Sequence, residues 1–329
     1  MILLLAGSFA LLLAGAVVFT NAIEWAGQRL DLGSGAVGSV LAAVATALPE
    51  SVIPIVAIIS GEQTGQIAIG AIIGAPFLLG TLAMVLVGIA VLGFRARREQ
   101  RNDLRLDRET TRRDLIIFLV FFGVAVLLGL GAPALLRYLA AAGFVIAYGI
   151  YAWRSIARAG SAEDEEDPGA LYFDPSKRTP PSNLPIVLQV LVGLGLIIGG
   201  AQLFVTEVEQ IGHSYGVPAL VLALLLAPLA TELPEKINSV LWVRDGKDAL
   251  ALGNITGAMV FQSMIPVSVG LAFLDWKLSA PALVAAGCAL AGGALCLALV
   301  QRGSRFRTPA VFSWAALYAG AVGYVLVSG

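Results

Sequence analysis

The sequence predicts an all-α integral membrane protein with ten transmembrane helices, arranged as two inverted-topology five-helix repeats. Three observations lead there. The 329 residues are 58% hydrophobic and only 13% charged, where a soluble domain carries about 25% charged residues. Apolar runs of 18 or more residues recur along the chain, each long enough to cross a hydrocarbon core roughly 30 Å thick. The chain also aligns with itself over three segments per half.

In order, the apolar segments are 2–27, 34–60, 65–94, 115–131, 133–153, 184–209, 217–242, 249–274, 279–300 and 309–328. The first lacks the basic n-region of a signal peptide and takes part in the repeat, so it counts as a helix of the fold. Residues 115–153 form one apolar stretch until "GLGAP" (129–133) divides it. Several segments are Gly-rich or Pro-interrupted, which membrane helices tolerate when neighbours satisfy the freed backbone groups. The two cysteines, Cys288 and Cys296, share one segment and offer neither a disulfide framework nor a metal spacing.

Counting connections alternately sorts the basic residues. One side receives Arg29, the run "RARREQRNDLRLDRETTRR" (95–113), Arg154, Arg158 and the basic residues at 177–178, 244–247 and 302–307, while Arg137 and Lys277 alone fall on the other. By the positive-inside rule both termini face outward, and the 95–113 loop is cytoplasmic. The chain is expected in the cytoplasmic (inner) membrane. The stretch 156–183, rich in Pro, Gly, Ser and acid, reads as a flexible cytoplasmic linker, with its acidic run Glu163 to Asp167 a solvated charge cluster. His213 reads as part of an outward loop, "GHSYG", and Glu24, Glu207 and Glu209 as interfacial residues near helix ends.

Sliding the chain by 185 positions places Gly15 on Gly200, Phe19 on Phe204, Glu24 on Glu209, and "ATALPES" (45–51) on "ATELPEK" (230–236). Beyond a two-residue deletion, "GAIIGA" (70–75) falls on "GNITGA" (253–258). The halves are residues 1–155, with a first repeat motif over about 34–94, and 184–329, with a second over about 217–274. Five crossings per half is an odd number, so the second copy enters from the opposite side. Secondary transporters commonly have this architecture, with the ligand site near the midplane where the halves meet.

Within the first motif, Thr46 and Glu50 are four apart and share a helical face. Pro49 has no N–H, which frees the carbonyl of Ala45. A hydroxyl, a carbonyl and a carboxylate are thus presented together, all hard oxygen ligands suited to Ca2+ or Na+. Thr231, Ala230 and Glu235 repeat the set around Pro234. An ionised side chain at mid-bilayer costs about 3 kcal/mol on insertion scales, which makes the two Glu functional candidates. Their summed charge would be neutralised by one Ca2+. With one His and no paired Cys, no nucleophile or metal constellation of an enzyme is present, and no cofactor is expected.

The paired "T-x-L-P-E" segments, each followed by a "G-x-x-x-G" helix, resemble the α-repeats of the calcium/cation antiporter superfamily, which includes the sodium/calcium exchangers. The resemblance extends over nearly the whole chain. It implies that Thr46, Glu50, Thr231 and Glu235 bind cations, with the second, third, seventh and eighth helices enclosing them. It also implies that the first and sixth helices, 2–27 and 184–209, slide to alternate access. The family's usual Ser beside the motif Thr is replaced here by Ala47 and Glu232, and its "G-S-N" helices by "GAP" (74–76) with Leu79 and "GAM" (257–259) with Gln262.

Glu232 and Gln262 therefore join the candidate cation-binding set. Lys236, four residues after Glu232, has three available roles: pairing with Glu232, pointing into the cavity where a sodium ion would stand, or snorkelling to the interface. Asn254 would line the site or cap a broken helix. The expected function is secondary active Na+/Ca2+ exchange, with H+-coupled Ca2+ antiport on the same fold as the alternative. A cation channel and a non-transporting scaffold are the rivals from other classes. The expected partners are the lipid bilayer and inorganic cations, with no nucleic acid.

Overall fold

The computed structural model describes residues 1–29, 48–61, 64–99, 101, 103–159, 170–174, 181–303 and 308–328. Every secondary-structure element among them is a helix. These are α1 (Ile2–Arg29), α2 (Leu48–Ile59), α3 (Gly65–Gly93), α4 (Arg108–Leu128), α5 (Ala134–Ala159), α6 (Asn183–Tyr215), α7 (Ala219–Arg244), α8 (Asp248–Phe273), α9 (Ala280–Gln301) and α10 (Thr308–Ser328). Seven of them, α1, α3, α5, α6, α8, α9 and α10, are long and apolar enough to cross a membrane.

Helix ends follow local chemistry more than hydropathy. α4 begins inside the Arg-rich run, because the Asp107 side chain accepts from the backbone N–H groups of Glu109 and Thr110 and caps the first turn. α6 continues to Tyr215 and stops at Gly216, whose φ of 67° lies in the left-handed region. His213 is therefore an exposed residue in the last turn of α6, not a loop residue as the sequence suggested. Within α3, Pro76 interrupts the backbone ladder, and the helix then widens into a π turn over Leu79–Ala83.

In lipid, helices gain little from hydrophobic contact with one another and associate through close packing at small residues. The contacts here follow that rule. A methyl group built on Gly15 of α1 would lie 2.8 Å from Ile197 of α6, and one on Gly193 of α6 would lie 2.8 Å from Phe19. Gly70 and Gly74 let α3 cross α7 so closely that added methyls would stand 2.5 Å and 2.3 Å from the carbonyls of Leu220 and Leu224. α3 is the centre of the bundle, buried at every residue from Ile67 to Thr81. α5, by contrast, leaves Leu135, Leu139 and Ile146 exposed, as a lipid-facing helix does.

The connections gather at two ends. At one, Arg98 from the α3–α4 connection forms a buried two-pronged ion pair with Asp248, at 2.6 Å and 2.8 Å, and also donates to the Val243 carbonyl at the end of α7. Arg98 belongs to the Arg-rich run that the charge count places in the cytoplasmic loop; its planar fork matches the carboxylate and it is buried. At the other end, the backbone N–H of Leu278 donates to Gly129 at 3.0 Å, joining the α8–α9 and α4–α5 connections. Residues 170–174, inside the stretch read as a linker, dock on the bundle. Leu171 is buried with Ala22, Trp25 and Ile186, and the Phe173 N–H donates to Gln189 at 2.9 Å.

Candidate functional site

Glu50 stands in the first described turn of α2 and is 7% exposed. One turn further, Ile53, Val56 and Ala57 pack in the same buried cluster as Ala227 and Ala230 of α7. The two Pro-Glu helices are thereby neighbours, with Ala68 and Ala71 of α3 in the same cluster. Ala45 and Thr46 lie outside the described residues, as does the Glu235 side chain.

On α7, Thr231 is buried and its hydroxyl donates to the Ala227 carbonyl at 3.2 Å. That bond uses the hydroxyl hydrogen and leaves the oxygen lone pairs to accept or to ligate a cation. Ala230 is buried too, and Pro234, four residues on, has no N–H to give its carbonyl the usual helical bond.

Glu232, Lys236 and Gln262 form one buried group. The Lys236 ammonium lies 3.2 Å from Oε2 of Glu232, with side chains 1% and 2% exposed. The amide of Gln262 on α8 donates to Oε1 of Glu232 at 3.3 Å. Both carboxylate oxygens are thus engaged, one by each neighbour. Of the roles open to Lys236, pairing is the one this contact matches: Glu232 stands one turn earlier on the same face and the ammonium is buried beside it. Breaking a buried pair by removing one partner costs about 3–5 kcal/mol, so the arrangement is firmly held.

Asn254 sits within an unbroken α8, so it caps nothing; its amide meets the Ser239 hydroxyl of α7 at 3.5 Å. Glu207, expected at the interface, is buried and lies 3.4 Å from the chain's amino terminus. The sequence also gave no notice of Asp114. Its carboxylate accepts from Tyr151 at 3.0 Å and Thr256 at 3.3 Å and pairs with Arg113 at 3.1 Å, tying α4 to α5 and α8. The available signal was Thr256 itself, which stands in the second repeat copy where the first has Ile73.

A cavity of 810 Å³ opens where α6 meets α7, lined by Gln66, Glu209, His213 and Ser279 among others. None of Glu50, Thr231 or Glu232 lines it. Among the described residues, no cluster of three or more His, Cys, Asp or Glu side chains could hold a metal. The buried oxygen groups described here, the Glu50 carboxylate and the Thr231 hydroxyl, stand on different helices.

Residues 1–157 and 185–327 match the family described as sodium/calcium exchanger protein. Among curated relatives, CaxA of Alkalimonas amylolytica, described as an antiporter, is 28% identical over 111 residues; the match spans 34% of this chain and 35% of CaxA. An uncharacterized membrane protein of Methanocaldococcus jannaschii is 23% identical over 264 residues, 80% of this chain and 79% of that one. Among solved structures, the H+/Ca2+ exchanger CAX superposes with a TM-score of 0.74 at 20% identity, covering 99% of this chain and 81% of CAX. YfkE gives 0.72 at 13% identity, covering 98% and 92%. The sodium-calcium exchanger NCX_Mj gives 0.59 at 20% identity, covering 98% and 99%. The chain belongs to the sodium/calcium exchanger protein family: it is an integral membrane protein that transports ions, and not an enzyme.

Proposed function

We propose that this chain is a secondary active antiporter that exchanges Ca2+ for a monovalent cation by alternating access. The ion site lies between α2, α3, α7 and α8. Its ligands are the carboxylates of Glu50 and Glu235, the hydroxyls of Thr46 and Thr231, and the carbonyls of Ala45 and Ala230. The observation that carries this reading is the burial of Glu50 on α2 and of Thr231 and Ala230 on α7, two Pro-interrupted helices packed in one apolar cluster. A carboxylate in such a place is expensive unless a cation or proton accompanies it.

On this reading all ten helices cross the membrane, in two inverted copies, with both termini outside. The gathering of alternate connections at opposite ends of the bundle supports that topology. The end holding the Arg98–Asp248 pair is then cytoplasmic, and the cavity at Glu209 and His213 opens outward. α1 and α6 meet through Gly15, Gly193 and Gly200, a smooth contact that supports sliding as one unit.

Na+ is the counter-ion in the family's description and in NCX_Mj; H+ is the one in CAX. The engaged Glu232 carboxylate favours H+, because it removes an acid that a second bound cation would use. Ca2+ flux into proteoliposomes, measured under an imposed Na+ gradient and then under a pH gradient, separates the two. Saturable uptake that requires a counter-ion on the far side is expected. Uptake that needs no counter-ion would instead make the protein a channel.

A further inference from the structure

Glu232, Lys236 and Gln262 have no counterpart in the first half. In the 185-residue register Glu232 falls on Ala47 and Lys236 on Ser51, and in the 183-residue register Gln262 falls on Leu79. An acid, a base and an amide in one copy replace three small or apolar side chains in the other. All three meet in space, although Gln262 is on a different helix from the other two. Such a set has to be explained together.

We propose that Lys236 is a tethered internal cation: its ammonium, held against Glu232, fills a monovalent-cation position in the second half and closes that position to Na+. This deepens the antiporter reading and rests on it.

A lone carboxylate at the Glu232 position, buried and met only by the Gln262 amide, would draw a free cation from solution. Lys236 supplies one that cannot diffuse away. It sits one helical turn later on the same face, with Glu N-terminal to Lys, the better of the two orientations. Its effective concentration at Glu232 therefore exceeds that of any dissolved ion by a wide margin. A Na+ entering there would have to displace the ammonium or bind beside it, and like charges a few ångströms apart in a low-dielectric interior repel strongly.

Past Asp248, which Arg98 engages, α3 and α8 offer Na+ no acid of their own. α3, over residues 65–93, and α8, over residues 249–273, carry no acidic residue. Glu50 and Glu235 are the carboxylates assigned to Ca2+, and Glu232 is a separate acid beside them in the chain. Lys236 is on this view a specificity-determining residue: it makes the carrier blind to Na+ without blocking the divalent site.

The test uses full-length protein in proteoliposomes. Ca2+ uptake is measured into vesicles loaded with Na+ or with choline, for the native chain and for K236Q, K236R and E232Q/K236Q. The native chain should take up Ca2+ equally under both loadings. K236Q, which leaves Glu232 exposed to free cations, should gain a Na+-dependent component of roughly 10-fold or more. K236R should restore indifference to Na+, and the double variant, lacking both charges, should show it too. Na+-driven uptake by the native chain overturns the proposal, and so does a K236Q protein that carries Ca2+ yet ignores Na+. If K236Q does not fold, the other arms still decide: Na+-driven uptake by the native chain contradicts a closed position, and by the double variant contradicts Glu232 as the acid that Na+ would use. A native chain that moves no Ca2+ under any gradient would refute the antiporter reading instead, a distinct result.

Discussion

The two motif-bearing pairs, α2–α3 and α7–α8, share a sequence pattern and differ in how they are held together. In the first pair the joining positions are apolar or small: Ser51, Pro54, Ala71, Ile73 and Leu79. In the second the aligned positions are Lys236, Ser239, Asn254, Thr256 and Gln262, and every one makes a polar contact with another helix or with Glu232. Glycine also distinguishes α3 from α8. Gly70 and Gly74 bring α3 against the α7 backbone, while the aligned Gly253 and Gly257 of α8 have nothing within 4 Å of the methyl they lack, among the described residues. The difference separates what the fold needs twice from what it needs once. The Thr, Pro and Glu of the motif are kept in both copies. The polar side chains at these five positions, Ser51 apart, occur in only one, and are therefore a specialisation laid on a common frame.

Substitutions at aligned positions probe that separation. The largest effect is expected from Glu50→Gln, which should reduce Ca2+ flux in proteoliposomes at least about 100-fold, as loss of a buried charged ligand warrants. The mirrored Glu235→Gln should match it. A large loss in only one of them would break the equivalence of the two motifs. Next comes Gly74→Ala, whose methyl would press on the Leu224 carbonyl at 2.3 Å. It should destabilise by about 1–3 kcal/mol, read as a lowered melting temperature in detergent. Gly257→Ala should leave the melting temperature nearly unchanged or slightly raised.

Gln262→Leu, which imports the residue of the first copy, removes one of the two partners of the Glu232 carboxylate. It should cost about 1–3 kcal/mol, with Ca2+ flux retained in part. Asn254→Ala should be milder, at about 0.5–1.5 kcal/mol, because its 3.5 Å contact to Ser239 is at the outer limit of a hydrogen bond.

Each expected apolar segment overlaps a helix among the described residues, with 34–47 outside them, and seven of these helices are long and apolar enough to cross a membrane, because lipid demands long runs that hydropathy reports directly. Helix ends were less visible. Asp107 starts α4 before its apolar run, and Gly216 ends α6 after His213; both are decided by single-residue caps that hydropathy does not register. At the site, the Glu232–Lys236 pair was readable from its four-residue spacing. The Gln262 contact to Glu232 was not, since it depends on how two helices cross. Arg98 and Asp114 escaped for the same reason. Their burial is created by partners 150 and 142 residues away in sequence, and nothing local distinguishes them from solvated charges at a helix edge.

The central claim is that two Pro-Glu segments, far apart in the chain, build one cation site between them. Equilibrium Ca2+ binding to the purified protein, compared among the native chain, Glu50→Gln and Glu235→Gln, tests this most directly. One Ca2+ per chain is expected, lost in either variant alone. Two independent Ca2+ per chain, each lost in only one variant, would show two separate sites and contradict the shared one.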